Sequence, residues 1–409
     1  MAAKRSIEEY RADFPILQTT MHGKSLAYLD SGASAQKPQV VINAMNAVLE
    51  SGYANIHRGL YELSQNLTEK FENTRTKVAK FIGAKENEIV FTRNTTEAIN
   101  LVAQSWGRTF LKAGDEIIIS EMEHHANIVP WQLLRDQIGV VIKIIPINDL
   151  GELDLEAFKI LLSPKTRLVS VVHISNSLGT INPVKEINAL AKNFNKDIKV
   201  LVDGSQSIVH GVINVADMGC DFFVFTGHKL YGPTGVGVLF GKNEILNSMP
   251  PYQGGGDMID RVSFDKTTYK EAPFRFEAGT PAIVEVIGLG VAIDYVSAIG
   301  MDAIVSYETE LAGYASKRLA EIKGLKLYGT AKHKAGIFSF TIDGAHPSDI
   351  GMVLDQCGVA VRAGHHCCMP LMARLSVDST VRASLGLYSN KSDIDQLITG
   401  LEKVQGLFQ

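Results

Sequence analysis

The chain is 409 residues long, which at roughly 150 residues per domain makes it a protein of two or three domains. Hydrophobic residues make up 45% of it and charged residues 21%, while 36 Gly and 13 Pro fall well short of the roughly 25–30% that marks low-complexity chains, so disordered, fibrous and collagen-like classes are excluded. A formal net charge of −4 leaves no cationic surplus for a nucleic-acid backbone or an anionic membrane, and neither is expected as a partner. The charge-free stretch from Leu168 to Val184 contains His173, Asn176, Asn182 and Pro183, a mixture foreign to a bilayer-spanning helix. Residues 1–17 carry scattered charges and no apolar core, so they do not read as a secretory signal. Cys220, Cys357, Cys367 and Cys368 are too few and too unevenly spaced for a disulfide framework, which points to a reducing, cytoplasmic setting.

In chain order, Leu67, Phe71, Thr74, Val78 and Ile82 recur at helical spacing and Gly83 follows them, giving an amphipathic helix with its stop. Apolar runs at Glu88–Thr92, Glu116–Ser120, Val140–Ile147, Leu168–Ile174, Val200–Val202, Phe222–Phe225 and Val236–Phe240 read as strands. Helix-length segments at Thr96–Phe110, Asn127–Gln137 and Pro183–Asn193 lie between the early ones, an alternation that predicts a mostly parallel sheet covered on both faces. GHKLYGPTG is too short for a crossover helix, so the last two strands are expected to form an antiparallel pair near the sheet edge. Beyond Pro281 the pattern changes to a helical stretch from Val284 to about Ile322, the strand IFSFTI, a helix over Pro347–Gln356, the short strand VAVR and a final helix after Asn390. The division reads as a large domain over 21–280 and a smaller α/β domain over 281–409 that takes in the N-terminal segment 1–20.

Open α/β sheets bind ligands beyond the carboxyl ends of their strands. KVLVD ends in Asp203 and FFVFTGHK in His228 and Lys229, putting a carboxylate and an amine at successive strand tips. Each alone reads as an ion pair or a solvated strand end. Joined to a phosphate site, they match what pyridoxal 5′-phosphate requires, a lysine to carry it and an acid for its pyridine nitrogen. IVFTRNTTEAIN offers such a site, because backbone N–H groups and the hydroxyls of Thr95 and Thr96 meet where a helix begins; an ordinary helix cap is the simpler reading. A zinc site at His365, His366, Cys367 and Cys368 is disfavoured, since four consecutive residues cannot all reach one tetrahedral ion without severe contortion, and no metal is expected.

VLVDGSQ, FTGHKLYGPTGVGVL, EMEHHANIVPW, RFEAGTP and RAGHHCCMP, in this order across nearly the whole chain, resemble the class V aminotransferase group, and most closely the SufS-type (group II) cysteine desulfurases. The resemblance implies a fold-type I pyridoxal-phosphate homodimer that converts L-cysteine to L-alanine and keeps the sulfur as a persulfide. Iron–sulfur cluster assembly would take that sulfur through a small acceptor protein of the SufE or SufU type. It implies Lys229 as the cofactor lysine and Cα base, Asp203 as partner of the pyridine nitrogen, Gln206 as donor to the phenolic oxygen and His124 as the stacking ring and proton donor. Thr96, Thr226 and His228 then match phosphate contacts, with Thr280 reaching the phosphate of the other protomer and Asn176 beside cofactor and substrate. Arg382 matches the clamp on the substrate carboxylate, where a planar fork suits better than lysine; without the resemblance it reads as a surface arginine. His57 and Arg58 fall on an entrance loop.

Cys367 matches the nucleophile, its thiolate favoured by neighbouring histidines if these are charged. Cys368 departs from the family pattern of a small apolar residue, and its role stays open; His125 reads as a bystander, and Cys220 and Cys357 as small buried hydrophobes. A selenocysteine lyase acting on L-selenocysteine, a cysteine sulfinate desulfinase, or an aminotransferase of the same fold remain the alternatives.

Overall fold

The computed structural model describes residues 5–408; residues 1–4 and 409, with the parts of the terminal expectations that fall on them, lie outside the described residues. A central sheet is built from seven strands, β1 (Ile89–Thr92), β2 (Glu116–Ser120), β3 (Val141–Ile145), β4 (Thr166–Val172), β5 (Lys199–Asp203), β6 (Phe222–Thr226) and β7 (Gly237–Gly241). Their order across the sheet is β1-β7-β6-β5-β4-β2-β3. All neighbours are parallel except β7, which runs antiparallel to both β6 and β1. All seven expected strands form, the antiparallel pair among them. The six parallel strands therefore deliver their carboxyl ends to one edge. Both faces are covered, which is why strands such as β5 and β6 are apolar without alternation.

The helix before β1 spans Glu62–Ile82 and buries Leu67, Phe71, Thr74, Val78 and Ile82 on one stripe. Gly83 stops it in the left-handed region at φ 71°, with its N–H on Ala79 and Lys80 carbonyls. The expected Thr96–Phe110 helix begins at Thr95 but widens into a π-helical segment over Val102–Gly107 before a last turn at Arg108–Phe110.

The expected helix from Val284 to about Ile322 is two helices, Ile283–Ile299 and Met301–Ala320, bent by 75° at Gly300. Gly300 adopts φ 98°, a value closed to residues with a Cβ, and so breaks the run. Among the described residues no single helix is long and apolar enough to cross a membrane.

The second sheet has four antiparallel strands in the order Leu325–Tyr328, Ile337–Ile342, Thr380–Ser384, Arg362–Gly364. The VAVR run does not stay one strand. Val359–Ala360 pairs in parallel with Ala27–Tyr28, while Arg362 opens the three-residue strand Arg362–Gly364 of the second sheet. A hairpin of Ile259–Val262 and Thr267–Tyr269, with a fully exposed Phe264 at its turn, went unread because its short arms are mostly polar.

Candidate active site at the strand tips

One cleft lies across the carboxyl edge of the central sheet, with about 710 Å³ of atom-free space. It gathers Asn94, Thr95 and Thr96 after β1, His124 after β2, Asn176 after β4, Asp203 and Gln206 after β5, and Thr226, His228 and Lys229 after β6. From the second sheet come Arg362 and Arg382, and from the loop after its Arg362–Gly364 strand come His366 and Cys367.

Asp203, 2% exposed, accepts on Oδ1 from Ser205 N at 2.9 Å and Ser205 Oγ at 2.6 Å. Gly204 must be glycine, because a Cβ there would lie 1.9 Å from Phe223 Cζ. Thr95 Oγ1 meets Ser205 Oγ at 2.9 Å, joining the two turns, and Asn94 caps the helix by accepting from Glu97 N. The cap and the cleft-lining hydroxyls thus coexist. Burial pushes the Lys229 amine down to about 8; Asp203 opposes the shift and Arg382 adds to it. His124 is driven to about 3 by burial and then by Lys229, so its ring is neutral near pH 7.

Glu123, fully buried beside His124, accepts from Ser120 Oγ at 2.5 Å, Val172 N at 3.0 Å and Asn127 Nδ2 at 2.7 Å. It ties the tips of β2 and β4 together. Burial pushes its carboxyl up to about 7, with the charge of Asp203 adding to the effect.

Arg382 is not a surface residue: it is 2% exposed, on a strand of the second sheet. It donates to Asn176 O at 2.9 Å and to Asp30 Oδ1 at 3.0 Å. A carboxylate 352 positions away in sequence is what makes its burial tolerable.

His366 and Cys367 both occupy the left-handed region, at φ 51° and 57°, a conformation that costs roughly 1–3 kcal/mol per residue with a Cβ and persists only where the surroundings hold it. Three of the four side chains of HHCC go to separate partners. His365 Nδ1 accepts from Cys367 N at 3.1 Å, His366 Nε2 meets Thr380 Oγ1 at 2.8 Å, and Cys368 Sγ donates to Asn176 Oδ1 at 3.2 Å. Cys368 is fully buried and its thiol is pushed up to about 12, so it stays protonated. Cys367 is partly exposed on the cleft.

The expected stabilisation of its thiolate by charged histidines is not supported by the surroundings. Burial holds His124 and His366 near 3, and His125 is lowered too, so the positive charge in the cleft belongs to Lys229, Arg362 and Arg382. Arg362, exposed at the mouth, escaped the sequence reading, although a cation closing the VAVR run just before HHCC was a usable signal. Cys220 and Cys357 are buried away from the cleft.

Three expected residues do not join the cleft of this chain. Thr280 lines a separate hollow with Arg93, Tyr252 and Gln253. His57, at φ 70°, bonds Glu72 at 2.9 Å, and the exposed Arg58 pairs with Asp257 at 3.0 Å.

The cleft fits a phosphorylated pyridine cofactor. Gln206 Oε1, His228 Nδ1, His366 Nδ1 and Arg382 Nε are buried and have no protein partner, and all four residues line it. A buried polar atom left in that state is costly unless a ligand completes it. A lysine and a carboxylate at adjacent parallel-strand tips, with a hydroxyl-rich helix start beside them, define the class as a fold-type I α/β enzyme.

A family model for class V aminotransferases matches residues 27–397, and the chain belongs to that family. Cysteine desulfurases of Yersinia pestis (strain Pestoides F) and Yersinia pseudotuberculosis (serotype O:3, strain YPIII) are each 51% identical to it over 403 residues, 98% of either chain. Among solved structures it is similar to the cysteine desulfurase CsdA of Escherichia coli, with a TM-score of 0.92, 38% identity and coverage of 99% of this chain and 100% of the other. An apo cysteine desulfurase from Thermococcus onnurineus NA1 gives a TM-score of 0.94 at the same identity and coverage.

Proposed function

We infer that the cleft is the active site of a pyridoxal-phosphate-dependent cysteine desulfurase, which converts L-cysteine to L-alanine and leaves the sulfur as a persulfide on Cys367. The observation that carries this reading is the convergence of Lys229, Asp203 and the partly exposed Cys367 on one cleft.

Lys229 would hold the cofactor, Asp203 its pyridine nitrogen, Gln206 its phenolic oxygen and His124 its ring face. Thr95, Thr96, Thr226 and His228 would take the phosphate. When bound, pyridoxal 5′-phosphate supplies the sink for the electron pair released as Cα loses its proton. Lys229 Nζ, its affinity for protons lowered toward 8, has a larger neutral fraction near pH 7 than an ordinary lysine, and in that neutral form it is suited to take the proton. Arg382, with a guanidinium N–H still without a partner, receives the substrate carboxylate, and Asn176 lies beside it. The Cys367 thiolate attacks the substrate sulfur. An S–S bond forms, the Cβ–S bond breaks, and its electron pair stays with the three-carbon fragment, which is protonated to alanine.

A homodimer is supported by Thr280, which faces a hollow separate from this chain's own cleft and is available to a partner's phosphate site; His57 and Arg58 sit near the same segment. The domain division near residue 281 is supported by the two sheets, since the strands of the seven-stranded sheet precede it and those of the four-stranded sheet follow it. We assign the sulfur to iron–sulfur cluster assembly in the cytoplasm, through a small acceptor of the SufE or SufU type.

The test is incubation with L-cysteine under reductant, assaying alanine and sulfide together. Equimolar formation of both without any keto acid supports desulfuration. Alanine formation that needs a keto acid and ignores loss of Cys367 makes the chain an aminotransferase.

A further inference from the structure

The loop that carries Cys367 is irregular, strained at two consecutive residues, and close to a histidine that the sequence left without a role. Its fastenings fall into two groups. Within the loop, Cys367 N bonds His365 Nδ1 at 3.1 Å and Cys368 N bonds His365 O at 2.8 Å. Asn176 Nδ2 holds His366 O from outside, at 2.7 Å.

The carbonyl of Cys367 itself accepts from His125 N at 2.7 Å, and Met369 N donates to His125 Nε2 at 3.0 Å. His125 therefore grips the loop on both sides of Cys368, once through its backbone and once through its ring. It belongs to the turn after β2, which also presents His124 and is anchored by the buried Glu123 and Asn127. An imidazole nitrogen that accepts an N–H carries no proton, so the clamp needs His125 neutral, protonated only on Nδ1. Burial and the facing His365, its ring centroid 5.5 Å away, both disfavour the charged form; His124 adjoins on the same turn at 6.3 Å.

We propose that His125 is a positioning residue for sulfur transfer, its neutral ring and backbone N–H clamping the Cys367 loop to the turn that carries His124. A nucleophile on a loop with two left-handed residues keeps its aim only while such contacts persist. The clamp makes the attacking sulfur and the ring of His124 move as one body. The proposal rests on Cys367 being the sulfur acceptor, but loop protection reads the clamp whether or not that holds.

The experiment compares holoenzyme carrying His125→Phe, which keeps the shape and loses the acceptor, with His125→Gln, whose amide oxygen reaches the Nε2 position. Three quantities are measured: the single-turnover rate at which sulfur appears on Cys367 by mass spectrometry, KM for L-cysteine, and deuterium uptake over 365–370. Losing one hydrogen bond of ordinary strength predicts a transfer rate about tenfold lower in His125→Phe, KM within about twofold, and faster uptake; His125→Gln returns both rate and protection to within about threefold. Transfer at the wild-type rate in His125→Phe overturns the proposal, as does a Gln variant as slow as Phe, or slowing without any change in uptake. Sulfur found on another residue in the wild type refutes the assignment of Cys367 and leaves the uptake comparison intact.

Discussion

The cofactor platform and the Cys367 loop meet in one cleft but are made in opposite ways. The platform sits on the ends of paired strands, where Asp203 and Thr226 close the buried β5 and β6 and Lys229 lies in the turn just after β6. Its members are fixed by a sheet that would form for its own reasons. The loop has no ladder; it has two left-handed residues and a set of side-chain fastenings from three distant parts of the chain. Rigid strand ends suit a cofactor that must not move, whereas a nucleophile that must attack and then hand its sulfur onward sits on a segment whose restraints are single hydrogen bonds, each worth roughly 0.5–1.5 kcal/mol.

The sharpest way to break this comparison is to remove one chemical group from each side. Lys229→Ala is expected to lose the visible absorbance of the bound cofactor together with activity, by at least roughly a thousandfold. Cys367→Ser is expected to keep that absorbance and make no persulfide. Absorption spectra and mass spectrometry after brief exposure to L-cysteine decide it, and an unchanged chromophore in Lys229→Ala sinks the division of labour.

A smaller effect should come from Glu123, which braces the platform. Its carboxyl titrates near 7 when folded but near the usual value of about 4.3 when unfolded, so the native state holds a proton that the unfolded state has released. Stability from this group is present below pH 4 and is lost as pH rises to 7, by roughly 3 kcal/mol. Glu123→Gln cannot ionise, so its urea midpoint should change less between pH 5 and 7.5 than the wild type's. Identical slopes for the two proteins would falsify the assignment.

The smallest effect is expected at Cys368. Its buried thiol steadies the Asn176 amide and the His366 carbonyl through weak sulfur hydrogen bonds, so Cys368→Ala should keep sulfur transfer within about twofold and lose on the order of 1 kcal/mol of stability to the cavity and the missing bonds. If Cys368→Ala is as inactive as Cys367→Ser, the two sulfurs act in relay.

The platform was legible in the sequence because apolar runs end abruptly in Asp203, His228 and Lys229, and a strand end is a local signal. The helices that the sequence announced lie within a turn of where they were expected, except where geometry departs from a uniform helix at Val102–Gly107 and at Gly300, whereas Gln39–Ser51 and Leu155–Leu161 went unread. The loop's fastenings were not legible. His125 and Met369 are 244 residues apart, and Arg382 and Asp30 are 352 apart, so nothing near either residue announces its partner. An arginine in a short strand reads as exposed until the carboxylate that accompanies it into the interior is found. The two neighbouring sulfurs differ for a related reason: the loop turns one toward Asn176 and leaves the other partly open, which follows from φ and ψ and not from residue type.

The sheet order also bears on how the chain is made. β1 is an edge strand, and it pairs with β7, whose residues are synthesised about 145 positions later. At translation speeds of about 5–20 residues per second, the Ile89–Phe91 segment waits roughly 7 to 30 s on the ribosome before its partner exists. Three residues that end fully covered spend that interval as an unpaired apolar edge, within reach of chaperones and of neighbouring nascent chains.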